Sequence, residues 1–476
     1  MSLLRAKPMT PSLWVVGAMF VGTLSLFGGS TAALLVLALL TVYSLFGVSE
    51  ALFALLVSCL VSVINTDLFR VGGSVITIMR WAVLLTASLS IYIQIFYGRD
   101  RVVTNASGVL LFLFLVLATV LSNIFGYAPG VSNFKLFIFG FGSLAIVHGF
   151  LFIDDWRKFD RYIFSALTGF LLISSGILVL FPIEAFRRSN DLVRISGFQG
   201  MTNQSQVMGV LAAVSLAWVV AKVVTDTNCR KWYWYLAGFG LTSFMIASNA
   251  RTGLLSLLLA AVATGLGAML TRRYRLMVLL ETLKFRFWVI LASLVATVVL
   301  NFESIREAVI DFAIKGGRNG EELNAAFEAS RGFRIRQLYK SFMESPWTGK
   351  GFGLETFERN LKVSYDPLIG MIPIRAPVEK NFTFLAVFEE TGILGGGLAM
   401  LFVLATAYFL INYRSPLWCF VFLTGILINI GESIFFSLGG MGLFVWVLMM
   451  SSLLRRPKKN YVFHVPKQLE VPVLVA

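Results

Sequence analysis

The chain has 476 residues, of which 57% are hydrophobic and 14% charged, and its net charge is +15. This composition excludes a soluble globular domain and predicts a polytopic helical membrane protein. The apolar runs are uniform and near the length of a membrane helix, which argues against a barrel of short alternating strands. The excess of Lys and Arg is explained by the positive-inside rule, so no nucleic-acid partner is expected.

Hydropathy predicts an all-α fold of about 12–14 transmembrane helices, since about twenty apolar residues span a bilayer. The predicted spans are 12–28, 31–48, 51–66, 74–97, 106–125, 132–152, 159–181, 205–222, 231–248, 252–271, 285–302, 383–412, 416–430 and 433–453. Residues 1–302 then hold transmembrane helices 1–11, and residues 303–382 form one large polar loop. The last membrane helices occupy 383–453, and 454–476 form a basic tail.

Three cysteines stand far apart, at Cys59, Cys229 and Cys419. They form no CxxC pair, so we expect neither a disulfide framework nor a zinc site, and we expect no cofactor. The chain begins MSLLRAKPMTPSLW, which is short and basic and leads directly into an apolar run. We therefore expect a retained first helix and not a cleaved signal peptide.

The basic residues of the short loops fall on alternate loops. They are Arg5, Lys7, Arg99, Arg101, Arg157, Lys158, Lys222, Arg230, Lys231, Arg272, Arg273, Arg275, Lys284 and Arg414, followed by Arg455, Arg456, Lys458 and Lys459 in the tail. The positive-inside rule makes their side cytoplasmic, so both termini are expected inside. The loops at 182–204, at 249–251 and at 303–382 are then on the outer side. No inverted repeat of the kind common in secondary transporters is visible.

Four arginines of the outer loops are unexpected under that rule. Arg187, Arg188 and Arg194 lie in FPIEAFRRSNDLVRISGFQG, and Arg251 lies in ASNARTGLL at the mouth of a span. A guanidinium stays charged and matches phosphate oxygens bidentately, so these residues are candidates for binding an anionic group. Snorkelling, or pairing with Glu184 and Asp191, is the structural alternative.

Three further charges lie at or just inside span ends on the same side: Arg80, Lys135 and Glu432. Ionisable groups at membrane depth are costly and usually face a cavity or a partner. Their common side indicates an outward-facing polar cavity, in which Arg80 is expected to contact substrate. Pairing between helices is the alternative.

The large loop contains the segment SRGFRIRQLYKSFMESPWTGKGFG. It predicts an amphipathic helix with an apolar side formed by Phe333, Leu338 and Phe342. The opposite side presents three candidate substrate contacts, Arg334, Arg336 and Lys340. Pro346 and the following glycines predict a tight turn that ends the helix. GKGFG lacks the preceding strand and the GK[ST] spacing of a phosphate loop, so no nucleotide site is expected.

The chain has two histidines, and neither is placed for chemistry on the outer side. His148 is near the inner end of its span and His464 is in the tail. A Ser/His triad or a histidine-ligated metal on the outer face is therefore excluded, and no metal is expected. Lys380 and Glu379, beside Asn381, are the candidates for a general base because they stand where the loop meets the membrane.

Four segments together resemble the family of O-antigen ligases and O-antigen polymerases. They are RISGFQGMTNQSQVMGVLAA, SNARTGLLSLLLA, ESPWTGKGFGLETF and KNFTFLAVFEETGILGG, and they extend from Arg194 to about residue 397. Each is loose alone, but their order and their side of the membrane match the family, which has many spans and one large outer loop late in the chain.

The resemblance implies a metal-independent glycosyltransferase of the bacterial inner membrane, with its active site facing the periplasm. Its donor would be an oligosaccharide on undecaprenyl pyrophosphate, and its acceptor would be a glycan hydroxyl. Arg194 and Arg251 would hold the pyrophosphate and stabilise the charge of the leaving group. Asn381 and Glu390 of the closing motif would contact substrate. Whether a chain-length regulator binds is left open.

One departure from the family concerns Lys380, which stands where the ligase members commonly carry a histidine. A lysine accepts a proton only if its pKa is lowered, so Lys380 is either a base or a third cation for the diphosphate. The missing histidine favours the polymerase branch. An O-antigen ligase or a protein O-oligosaccharyltransferase of the same superfamily is the first alternative, and a polysaccharide or solute transporter is the second.

Overall fold

The computed structural model describes residues 29–65, 68, 74–97, 106–153, 155–188, 195–270, 332–354, 364–365, 373–375, 380 and 382–454. Within these ranges seven helices are long and apolar enough to cross a membrane. They are α3 (Ser74–Tyr97), α4 (Ala106–Phe125), α5 (Pro129–Phe152), α6 (Trp156–Leu180), α7 (Ser205–Thr225), α9 (Arg251–Leu270) and α11 (Thr383–Phe409, with a π-helical continuation Leu410–Arg414). The fold is consistent with a helical membrane protein, as the composition predicted.

Shorter apolar helices complete the bundle within the described ranges. These are α1 (Gly29–Tyr43), α2 (Val48–Ser62), α8 (Trp232–Ala247), α12 (Pro416–Leu427) and α13 (Met441–Met450). One helix of the large loop, α10 (Phe333–Glu344), is amphipathic as predicted. The predicted spans 12–28 and 285–302 lie outside the described residues.

The last predicted span, 433–453, was wrong at its start. The helix begins only at Met441, and the preceding backbone is irregular although much of it is buried. The side chain of Asn429 replaces the missing helical bonds: its Oδ1 accepts from Ile434 N at 3.1 Å and from Phe435 N at 2.7 Å. Irregular backbone at membrane depth is tolerated where protein groups satisfy it, and a hydropathy plot does not register this.

Two short antiparallel strand pairs, absent from the all-α prediction, lie in the loops. Strand β1 (Phe186–Arg188) pairs with β2 (Ile195–Phe198), and β3 (Ser364–Tyr365) pairs with β4 (Pro373–Arg375). In the first pair Arg188 lies opposite Ile195. Phe186 and Phe198 contact each other within the hairpin, with ring centroids 5.6 Å apart, and Phe198 also contacts Phe244 of α8, which fixes the hairpin onto the bundle.

The buried core is continuous through the bundle and has an aromatic centre. Phe139 contacts Phe352, Phe436 and Trp446, with ring centroids 5.4–6.1 Å apart. Phe352 belongs to the large loop and is almost fully buried. A residue of the polar loop therefore reaches into the membrane bundle, so the loop is anchored to the helices that surround the site.

Hydrogen bonds join the predicted outer loops at one end of the bundle, which we call the loop end. Asn65 N, after α2, donates to Met201 O before α7 at 2.8 Å. Tyr127 N, between α4 and α5, donates to Lys350 O of the large loop at 3.2 Å. Thr383 Oγ1, at the start of α11, donates to the carbonyl of Glu432 at 3.0 Å.

Candidate functional site

The large loop docks onto α11 at a break in the helix. Gly392 has φ 65° and ψ −173°, a conformation that essentially only glycine adopts. Ile393 N donates to Pro346 O at 2.8 Å instead of closing a helical bond. Glu389 O and Glu390 O then accept from Lys350 N at 3.1 Å and from Gly351 N at 3.0 Å. The helix and the turn at 345–354 therefore exchange backbone bonds, which locks the turn in place.

The predicted tight turn after α10 is confirmed, and its glycines are what allow the close approach. Gly349, Gly351 and Gly353 have φ angles of 71°, 112° and 69°. A Cβ at Gly349 would meet the backbone of Glu390, and one at Gly353 would meet Lys135 Cδ at 2.6 Å. GKGFG thus serves as a docking turn, and the backbone N–H groups of Lys350, Gly351 and Gly353 are all bonded to α11.

A charged group, the Lys380 cluster, lies beneath this turn. Lys380 Nζ lies 2.7 Å from Glu389 Oε2 and 2.8 Å from Glu390 Oε1. The lysine and Glu389 are almost fully buried, and Glu390 is 6% exposed. The second oxygen of Glu389 accepts from Ser341 of α10 at 2.8 Å, and the second oxygen of Glu390 accepts from Gly353 N at 2.8 Å. All four carboxylate oxygens therefore have partners.

Lys350 continues the network toward the surface. Its Nζ donates to Ser341 Oγ at 2.7 Å and to Glu344 Oε2 at 2.6 Å, and the Glu344 side chain is 56% exposed. On the other side of the turn Lys135 donates to the carbonyl of Gly353. Lys135, predicted to face a cavity or a partner, thus binds the backbone of the docked turn.

The surroundings of Lys380 decide its charge. Burial alone lowers the pKa of Lys380, but the attraction and hydrogen bonds of Glu390 and Glu389 outweigh it, so the pKa lies above its ordinary value. Lys380 is therefore a protonated lysine. Of the two roles left open for it, this favours a cation and disfavours a general base. Glu379 and Asn381, its predicted neighbours in the site, lie outside the described residues.

The arginine hairpin forms a second group at the loop end. We use this name for the strand pair of residues 186–188 and 195–198, whose sequence carries Arg187 and Arg188 and begins its second strand directly after Arg194. Its β2 strand packs on the turn before α9: a Cβ at Gly197 would meet Ser248 O, and Phe198 contacts Phe244 with centroids 4.8 Å apart. Arg251, which is half-buried, is the first residue of α9 and follows that turn.

Strand pairing in the hairpin places residues beside each other that are separated in sequence. Arg188 pairs with Ile195, the residue that follows Arg194. Arg194 itself, and the side chains of Arg187 and Arg188, lie outside what the structure describes. The backbone thus brings β2, the strand paired with that of Arg187 and Arg188, against the turn before Arg251, a proximity that hydropathy could not predict.

Arg80 lies apart from both groups, in α3. It lines a cavity of about 70 Å³ together with Ser58, Ser62, Trp81, Leu84, Ile138, Leu438, Gly439, Gly440 and Leu443. These residues come from α2, α3, α5, α13 and the segment before α13. Of the three charges predicted to face an outward polar cavity, Arg80 alone is among the described residues that line this one, and most of that lining is apolar.

Two cations of α10, Arg336 and Lys340, lie on the side of the helix away from its docked face, whereas Arg334 is four residues before Leu338 and lies on the docked side. Leu338 and Ser341 are buried against α11, as the apolar prediction required for Leu338. Phe333, predicted on the apolar side, is 59% exposed, so that part of the prediction was wrong. Arg336 and Lys340 are exposed and Arg334 is half-exposed.

The opposite end of the bundle contains ion pairs that sequence reasoning missed. Lys222 Nζ lies 2.9 Å from Asp160 and 3.4 Å from Asp226, and Lys158 bonds Glu50. From the sequence, Lys158 and Lys222 were counted only among the loop charges that indicate the cytoplasmic side. The spacing of Lys222 and Asp226, four residues apart on a helix, was the one available signal.

Together the described helices, the buried ion pairs and the cavity at the loop end are those of a polytopic helical membrane protein. Comparison with protein-family models, with curated proteins and with solved structures finds no match to the chain in any of the three.

Proposed function

We propose that this protein is a bacterial inner-membrane polysaccharide polymerase. It would transfer glycan repeat units from undecaprenyl pyrophosphate to a hydroxyl of an acceptor glycan on the periplasmic face, with both termini in the cytoplasm. One observation supports the proposal: strand β2, which pairs with the strand that carries Arg187 and Arg188, packs on the turn that precedes Arg251. We infer that the guanidinium groups of Arg187, Arg188, Arg194 and Arg251 would together bind a pyrophosphate.

The proposed reaction requires stabilisation of its leaving group and uses no metal ion. The acceptor oxygen attacks the anomeric carbon, a new glycosidic C–O bond forms, and the bond from that carbon to the phosphate oxygen breaks. Undecaprenyl pyrophosphate leaves with the bonding electrons. Arg194 and Arg251 would stabilise the charge that builds on this group, which is where electrostatic catalysis acts.

The proton of the attacking hydroxyl must pass to a base. The oxygens of Glu390 and Glu389 are occupied by Lys380, Gly353 and Ser341, and Lys380 is protonated. Glu379, beside the cluster in sequence, is the base that we assign. The Lys380 cluster would act as a positioning element that holds the large loop against α11 over the glycan.

The test is reconstitution of the purified chain with a synthetic undecaprenyl-pyrophosphate oligosaccharide, with products resolved by gel and mass spectrometry. Wild type should give a ladder of lengthened glycans, and Arg251→Ala should reduce it at least about a hundredfold, the scale of losing one transition-state contact. Arg230→Ala is the matched control, because Arg230 is an exposed arginine at the opposite end of the bundle. A normal ladder from Arg251→Ala would refute the site.

The same assay separates the alternatives. Transfer only when a lipid A core or a protein acceptor is added would indicate an O-antigen ligase or a protein O-oligosaccharyltransferase. Movement of substrate into empty liposomes, with no transfer to any acceptor, would indicate a transporter. Either result would replace the polymerase proposal.

A further inference from the structure

Arg80 differs from the buried cations that the structure describes. It is the seventh residue of α3, about 9 Å along the helix from its start, and it is half-buried. Within the described residues it forms no ion pair and no hydrogen bond, whereas Lys380, Lys350 and Lys222 each bond carboxylates. A charge at this depth requires compensation, so the contents of its cavity must supply it.

The cavity around Arg80 is large enough for a ligand. A buried water molecule needs about 10–15 Å³ of cavity volume. A cavity of about 70 Å³ therefore accommodates several water molecules or one tetrahedral oxyanion. Its mouth is at Gly439, which is exposed, and its wall includes the start of α13 at Gly440. The cavity is therefore accessible from the loop end.

The charge of the cavity decides between water and an anion. None of the described residues that line it is acidic, so among them the guanidinium charge of Arg80 has no counter-charge. Water solvates that charge but leaves it in place, whereas an oxyanion neutralises it. A guanidinium binds phosphate oxygens with two parallel N–H bonds, and the amino-terminal end of α13 at the wall adds a favourable field.

We propose that the Arg80 cavity is a binding site for a phosphate group. The described residues that line the cavity include none from β1, β2, α7, α8 or α9, so the site is separate from the described strands of the arginine hairpin. The inference does not rest on glycan transfer. Two sources present this chemistry, a soluble phosphate and the phosphate of a lipid head group. The mouth of the cavity at Gly439 is open to both.

The test is binding of radiolabelled inorganic phosphate to the purified full-length chain in detergent, by equilibrium dialysis. The measurement is made in wild type and in Arg251→Ala, so that binding at the proposed transfer site does not contribute to the second data set. We expect saturable binding in both, weakened at least about tenfold by Arg80→Met and less by Arg80→Lys.

Gly439→Leu provides a variant that leaves the arginine intact. A Cβ at Gly439 meets only Ser437 Oγ, at 3.5 Å, so the substitution is tolerated by the backbone and places an apolar group at the mouth. We expect it to weaken phosphate binding as Arg80→Met does. It also replaces Arg80→Met in the test should that variant fail to fold.

Competition by phosphatidic acid, with diacylglycerol as its phosphate-free control, distinguishes the two sources. Stronger competition by phosphatidic acid than by free phosphate would assign a lipid head group, and the reverse would assign a soluble ligand. Absence of binding for both probes, or binding that Arg80→Met and Gly439→Leu leave unchanged, would overturn the proposal. Failure of glycan transfer would not affect this result.

Discussion

The Lys380 cluster and the Arg80 cavity each hold a cation at the same end of the bundle, one almost fully buried and the other half-buried, and the two charges are compensated differently. Lys380 has two carboxylates within 2.8 Å, and each of these has a further donor. Arg80 has a cavity of about 70 Å³. A cation whose partners are built into the fold stabilises the fold, whereas a cation that faces a cavity is available to a ligand.

The largest effect is expected from Lys380→Met. The substitution leaves Glu389 and Glu390 buried side by side without a cation, and breaking a buried pair in this way costs about 3–5 kcal/mol. We expect a large drop in the temperature of unfolding, measured by scanning fluorimetry on the detergent-solubilised protein.

Arg80→Met is the matched variant, because the same replacement there removes a charge that has no protein partner among the described residues. In phosphate-free buffer we expect little loss of stability, or a gain. If both variants were equally destabilised, the contrast between the two cations would be refuted. A stable Lys380→Met protein without activity would instead place Lys380 in the chemistry.

A smaller effect is expected from Gly392→Ala, which tests the docking of the turn onto α11. An alanine would be forced into a glycine-only conformation, at a cost of about 1–3 kcal/mol before its clash with Trp347 O. Gly397→Ala in the same helix is the control, since a Cβ there meets nothing within 4 Å. We expect faster limited proteolysis of the large loop in Gly392→Ala alone. Equal protection in both variants would show that the turn does not depend on the break.

The smallest effect concerns pH. Because the pKa of Lys380 is raised in the folded protein, its contribution to stability is complete below its ordinary value of 10.5 and is lost only as the pH rises through the higher folded value. We therefore expect no change in unfolding temperature from this group between about pH 7 and 10. A transition near neutral pH that disappears in Lys380→Arg would mean a lowered pKa and would restore the general-base role.

Composition and hydropathy were sufficient to predict the membrane class and most helices, because twenty apolar residues have few alternatives to a helix in lipid. The amphipathic α10 and the turn at its end were also predictable, since Leu338 and the glycines after Pro346 carry local signals. The start of α13 was not predictable, because the Asn429 side chain satisfies the irregular backbone before it.

The candidate site likewise has features that the sequence predicts and features that it does not. The sequence by itself determined which residues are ionisable and where Arg80, Arg251 and Lys380 lie relative to the ends of the predicted spans, because hydropathy locates those ends. Only the tertiary structure decided their partners: Glu389 and Glu390 beside Lys380, a cavity beside Arg80, and the hairpin beside the turn before Arg251. The physical reason is that electrostatic compensation depends on contacts between helices far apart in sequence, which local patterns do not record.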